Sequence, residues 1–78
     1  LIDLDLAVLA RPQDGYRTYT KGVRKEFRLF PNFLYRPGRR KALRHFLDQP
    51  TIYQTPHFRN RWEEVARKNL TQELRELQ

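Results

Sequence analysis

Apolar positions in the last third of the chain recur at three- and four-residue steps: Phe58, Trp62, Val65, Ala66, Leu70, Leu74 and Leu77. That spacing draws one face of an α-helix from Thr55 to Gln78, about six turns at 3.6 residues per turn. Thr55-Pro56 suits its start. A threonine side chain can cap a free first-turn N–H, and proline at the first helical position gives up only a donor that has no partner. Arg59, Glu63, Glu64, Arg67, Lys68, Glu73 and Glu76 are predicted on the outer side. Glu63–Arg67 and Glu64–Lys68 stand in the acid-first, four-apart order that favours an ion pair. A lone helix cannot bury its apolar face, so the rest of the chain must cover it.

Tyr16, Tyr19, Val23, Phe27 and Phe30 form a second stripe, an aromatic one, predicting a helix through about Leu29. Arg11-Pro12-Gln13-Asp14-Gly15 is the connection before it, with Asp14 as its cap, and Pro31-Asn32 breaks the pattern after it. Phe33-Leu34-Tyr35 reads as a short helical turn, and Pro37-Gly38 as a restart or a kinked continuation. Arg39 to Leu47 is a third helix, with Leu43, Phe46 and Leu47 inward and Arg40, Lys41 and Arg44 outward. Asp48-Gln49-Pro50 ends it, and Thr51 to Gln54 link it to the last helix. Leu1 to Ala10 reads as the end of a buried helix, although its alternation also fits a strand. The expectation is one all-α domain over residues 1–78, about four helices with short links in irregular packing.

Seventy-eight residues with 38% apolar content can build only a marginal core, partly offset by ten aromatic side chains. Net charge is +7, and its placement matters more than its size. Residues 11–48 carry eleven Lys/Arg against Asp14, Glu26 and Asp48, a net of +8. Such a block suggests anionic partners, either nucleic acid or a phosphorylated small molecule or nucleotide; the alternative is a solvated basic face. No apolar run approaches the ~20 residues of a membrane span, so no membrane partner is expected. There is no signal-peptide pattern at Leu1 to Ala10, and the expected location is cytoplasmic. The chain does not begin with Met, which leads to the expectation of a processed chain or a fragment.

Candidate chemistry is sparse. Cys and Ser are both absent, removing disulfides, thiolate metal sites and the usual nucleophiles. His45 and His57 fall on different helices, and the two together lack the ligands of a zinc site. Asp3 and Asp5 are the one chemically loaded pair, since a carboxylate in an apolar strip can serve a hard divalent metal as one ligand. Read from the residues alone, acids favoured near a helix start account for them better. Arg24, Arg39 and Arg40 are the phosphate-binding candidates, because a guanidinium matches phosphate oxygens in pairs and Gly38-Arg39-Arg40 adds backbone N–H groups near a helix start. The simpler role for them is to cover the aromatic stripe with their stems or to pair with Glu26 and Asp48. The link from Phe30 to Gly38 is too long and aromatic for a helix-turn-helix. RNA binding through the basic middle segment stays open, but the Tyr and Phe residues fall on a helical core period.

Four segments in order, DLDLAVLA, GYRTYTKGVRKEF, YRPGRRKALRHFL and IYQTPHFRNRWEEVARKNLTQEL, resemble the C-terminal part of a bacterial family of predicted metal-dependent phosphohydrolases of the HD (His-Asp) superfamily. The resemblance runs over essentially the whole chain. It implies an all-α, HD-domain-like portion of a protein that binds one or two divalent metal ions through a His, a His-Asp pair and a distal Asp. By the pattern, Asp5 is the distal ligand, with Asp3 second; Arg24 and Arg39 could face substrate phosphate. Neither His45 nor His57 adjoins an Asp, so the other ligands would lie upstream of Leu1 and this fragment alone would be inactive. Two other readings compete: a basic helical module for nucleic acid or an acidic protein, and a structural subdomain that forms a homo-oligomer through uncovered aromatic faces.

Overall fold

The computed structural model describes residues 6–78, and α3 (Pro56–Leu77) is the surface on which the 3-10 turn and the second helix pack. Its 22 residues run about 33 Å at 1.5 Å per residue, which sets the 39 Å long axis of the molecule. A single 3-10 turn (Ala7–Ala10) lies against α3 and against α1 (Gln13–Glu26), and α2 (Asn32–Asp48) lies against α3. Among the described residues there is no strand. The described residues are all-α, with three α-helices where four were expected for the chain.

Each departure has a local cause. The segment read as a buried helix end is a 3-10 turn where it is described, and its first five residues lie outside the described part. The aromatic helix stops at Glu26, three residues short of Leu29, and Asp14 sits inside its first turn while Pro12 takes the cap position. Arg24 accounts for the early stop. Its Nη1 donates to Phe27 O at 2.8 Å, and its Nη2 to Phe30 O and Asn32 Oδ1, both at 3.0 Å. These bonds turn the chain out of α1 just before Pro31, which has no N–H to continue a helix. The turn at Phe33 to Tyr35 and the helix from Arg39 are one element. Pro37 is its sixth residue, near enough to the start that only the bond to the Phe33 carbonyl is lost, and the helix continues through it.

Among the described residues the buried apolar side chains are Leu9, Tyr16, Leu43, Ile52, Tyr53, Ala66 and Leu70. Tyr53 is fully enclosed, lies edge-on to Trp62 at 5.7 Å, and donates its hydroxyl to Leu6 O at 2.9 Å. Trp62 in turn stacks on Phe58 at 4.5 Å. The Glu63–Arg67 pair forms as expected, at 2.7 Å, and does more than decorate α3. The Glu63 carboxylate accepts the N–H groups of Ile52 and Tyr53, at 2.9–3.2 Å. The Arg67 guanidinium donates to the carbonyls of Leu47, Gln49 and Pro50 at 3.0, 2.7 and 3.2 Å. One turn of α3 thereby grips both the last carbonyls of α2 and the link that follows. Asn69, also buried, donates its amide to Leu9 O and Arg11 O, each at 2.9 Å, and fixes the path from the 3-10 turn into α1.

Candidate functional site

A buried polar cluster joins α1, α2 and α3. Glu73 of α3, only 8% exposed, accepts two bonds from Arg39 of α2, Nε to Oε2 at 2.7 Å and Nη2 to Oε1 at 3.0 Å. Tyr16 of α1 donates its hydroxyl to the same Oε1 at 2.5 Å. Burial, and then the bond to Glu73, push the Tyr16 hydroxyl well above the ordinary tyrosine range. Burial would by itself lower the Arg39 value, but the hydrogen bonds and charge of Glu73 outweigh it and the guanidinium is held charged more firmly than usual. Glu73 was expected on the outer face of the last helix; it is buried because it stands seven residues after Ala66 and three after Leu70, on their side of α3.

The three arginines singled out for phosphate have separate internal partners. Arg24 holds the turn after α1 and lies 4.4 Å over the Tyr35 ring. Arg39 is paired with Glu73 and faces Tyr19 at 5.6 Å. Arg40 donates to Leu77 O at 2.7 Å, and Arg36 beside it reaches Glu76 O at 3.1 Å. Those last two place positive charge on the open carbonyls at the end of α3, where it is favoured. None of the three is paired with Glu26 or Asp48 among the described ion pairs.

Asp3 and Asp5 lie outside the described residues. Among the described residues no three His, Asp or Glu side chains gather to hold a metal ion. His45 and His57 are exposed, and each lies edge-on to the phenylalanine that follows it, Phe46 and Phe58. The described residues do not by themselves fit a divalent-metal centre.

A groove of about 360 Å³ lies between α1 and α2, walled mainly by Val23, Phe27, Phe30, Leu34, Tyr35 and Ala42, with Arg39 at its side. Phe27, Phe30 and Leu34 are 45–54% exposed, and Leu29 and Phe33 beside them are 91% and 74% exposed. The period of the aromatic stripe favours a core face, with uncovered aromatic faces as a competing reading. Its first half is core, through Tyr16, but its second half runs past the edge of α3 and is left open. No helix among the described residues is long and apolar enough to cross a membrane.

Comparison with family models, with curated proteins and with solved structures finds no match to this chain.

Proposed function

We propose that this chain is the C-terminal helical part of a metal-dependent phosphohydrolase of the HD superfamily, acting on a nucleotide or another phosphoester. In this reading Asp5, with Asp3 as the second choice, contributes one carboxylate to a divalent-metal centre. The remaining ligands, a His and a His-Asp pair, come from residues outside these 78. The resemblance of the four sequence segments carries the proposal. One structural observation supports it: the residues that carry the resemblance are those that tie the fold together over long sequence distances. Glu63, Arg67 and Asn69 of the WEEVARKNL segment hold the α2–α3 link and the 3-10 turn. Arg39 of the GRR segment meets Glu73, and Tyr53 of the IYQT segment holds the Leu6 carbonyl.

The role assigned to the described residues is support. Leu6 directly follows Asp5, and its carbonyl is tied to Tyr53, three residues before α3 begins. The Leu9 and Arg11 carbonyls are tied to Asn69. These bonds hold the 3-10 turn that follows the proposed ligand against α3.

The test is a metal titration of a chain extended upstream to include a His and a His-Asp pair. Calorimetry with Mn²⁺ should show a site whose affinity falls at least tenfold in Asp5→Asn. The same affinity in both Asp5→Asn and Asp3→Asn would remove this reading.

A further inference from the structure

The groove between α1 and α2 is apolar inside, open to solvent, and set in the most basic part of the molecule. Residues 17–47 hold ten Lys/Arg and one acid, Glu26. Glu73 neutralises Arg39, but Arg24, Arg36 and Arg40 bond to carbonyl oxygens and keep their full charge. Lys21, Lys25, Arg28, Lys41 and Arg44 are exposed. Arg28 lies in the turn at the mouth of the groove, between Phe27 and Leu29, and Lys41 stands three residues after Gly38 and next to Ala42, both of which line it. Phe27, Leu29, Phe30, Phe33 and Leu34 fall within eight residues of sequence and are all exposed, and such a concentration of uncovered apolar side chains marks an association surface.

We propose that this groove docks an acidic amphipathic helix of a second protein. The partner would present large apolar side chains at i, i+3 or i+4 and i+7, flanked by Asp and Glu, in the helix-in-groove mode. A volume of about 360 Å³ is at the lower end of the range for built pockets, roughly 300–1,000 Å³. Charge selects this occupant over the others. A second copy carries the same +7 and would bring like charge against like. A nucleic acid needs basic groups at the contact and open ring faces for stacking. Here the walls are mostly apolar, the one basic side chain among them, Arg39, is paired with Glu73, and Phe27 is already tilted against Phe30 at 5.8 Å and against Tyr35 at 6.4 Å. A bilayer offers a flat face to a hollow. This inference stands apart from the phosphohydrolase reading, and its test contains no metal.

Fluorescence anisotropy with a labelled 18-residue peptide, leucine at i, i+4 and i+7 and glutamate on the flanks, reads the binding. A peptide of the same composition with its apolar face scrambled is the control. The leucine-faced peptide should bind at least tenfold more tightly than the scrambled one, and binding should weaken severalfold between 50 and 300 mM salt. Leu34→Asp should lower affinity at least tenfold with an unchanged circular dichroism spectrum. Phe33→Ser, at a still more exposed position, serves if Leu34→Asp disturbs the spectrum, and should lower affinity severalfold. Equal binding of the two peptides would overturn the proposal. So would undiminished binding in the variants, tighter binding to single-stranded RNA or to anionic phosphatidylserine vesicles than to the peptide, or a concentration-dependent dimer abolished by Leu34→Asp.

Discussion

Arg39 and Glu73 face each other across the α2–α3 contact as a two-bond pair, each side chain only about a tenth exposed (11% and 10%). A pair this enclosed gives up two hydration shells, so its presence says less about stability than its disruption does. Glu73→Ala leaves a buried guanidinium and the Tyr16 hydroxyl without their acceptor. The expected loss is about 3–5 kcal/mol in urea unfolding at pH 7, enough to depopulate a fold of this size. Replacing the cluster together, Arg39→Met with Glu73→Leu and Tyr16→Phe, should recover most of that loss. A triple variant no more stable than Glu73→Ala would show that the cluster is not a single unit.

Tyr16 gives the protein an alkaline weakness. Its hydroxyl is buried against a carboxylate, so the folded state keeps the proton to a pH well above the ordinary tyrosine value. The unfolded chain releases it near pH 10. Between those two values the unfolded state binds fewer protons, so stability falls as pH rises, by about 1.4 kcal/mol per pH unit for one group. The contribution is complete below about pH 10 and is lost above it. Tyr16→Phe should reduce the slope of stability against pH between about 10 and 11 by about that amount; denaturant midpoints at several pH values in this window provide the measurement. An unaltered slope would mean that another group controls this limb.

Glu63 and Arg67 act on the chain ahead of α3, which gives a local test. The Ile52 and Tyr53 amides are bonded to the Glu63 carboxylate, so both should exchange slowly in deuterium oxide. Glu63→Ala should speed exchange at these two amides at least tenfold while the amides of Leu43 and Leu70 change less. Arg67→Lys should also cost stability, about 1–3 kcal/mol, because an ammonium cannot reach three carbonyls and a carboxylate in one plane. Equal protection in Glu63→Ala and the parent chain would contradict the bonding described.

Much of this was legible in the spacing of apolar residues, because α3 carries its core face in its own period: Ala66, Leu70 and the half-buried Trp62, Leu74 and Leu77 all lie where the pattern puts them. Val65, 40% exposed, is at the edge of that face, and the other elements do not reach over it. Glu73 was misplaced because its charge was read as a sign of solvent. The partner that allows its burial is 34 residues away in sequence, and a helical period does not contain that information. The same holds for Arg24, whose bonds to the carbonyls of the following turn end α1 early. Uncovered aromatic faces are among the readings the sequence allows, but which part of the stripe stays open is not legible in it, for a related reason. Phe27 and Phe30 keep the period of a core face, but whether another element covers them depends on where α2 turns, and that is set by the Arg24 bonds. Asp3 and Asp5 remain readings of sequence, as they fall outside the described residues.

Asn69 offers the sharpest test of how the 3-10 turn is held to α3. Its amide is a donor to two carbonyls at once, Leu9 and Arg11. Asn69→Ala removes both bonds and leaves the carbonyls to find water, for a loss of about 1–3 kcal/mol. Asn69→Asp keeps the shape but replaces the donor with an oxygen that, when ionised, repels both carbonyls and is poorly solvated. At pH 7 it should be more destabilising than alanine. Its folded-state pKa is then raised above the unfolded value of about 3.9, so the penalty is absent below that pH and grows as pH rises through and beyond it. Protonated, the carboxyl can donate to one of the two carbonyls, and Asn69→Asp should become the more stable of the two variants near pH 3. Thermal melts of both variants at pH 3 and pH 7 would show the crossing; parallel behaviour at the two pH values would mean that the side chain does not act as a donor in this contact.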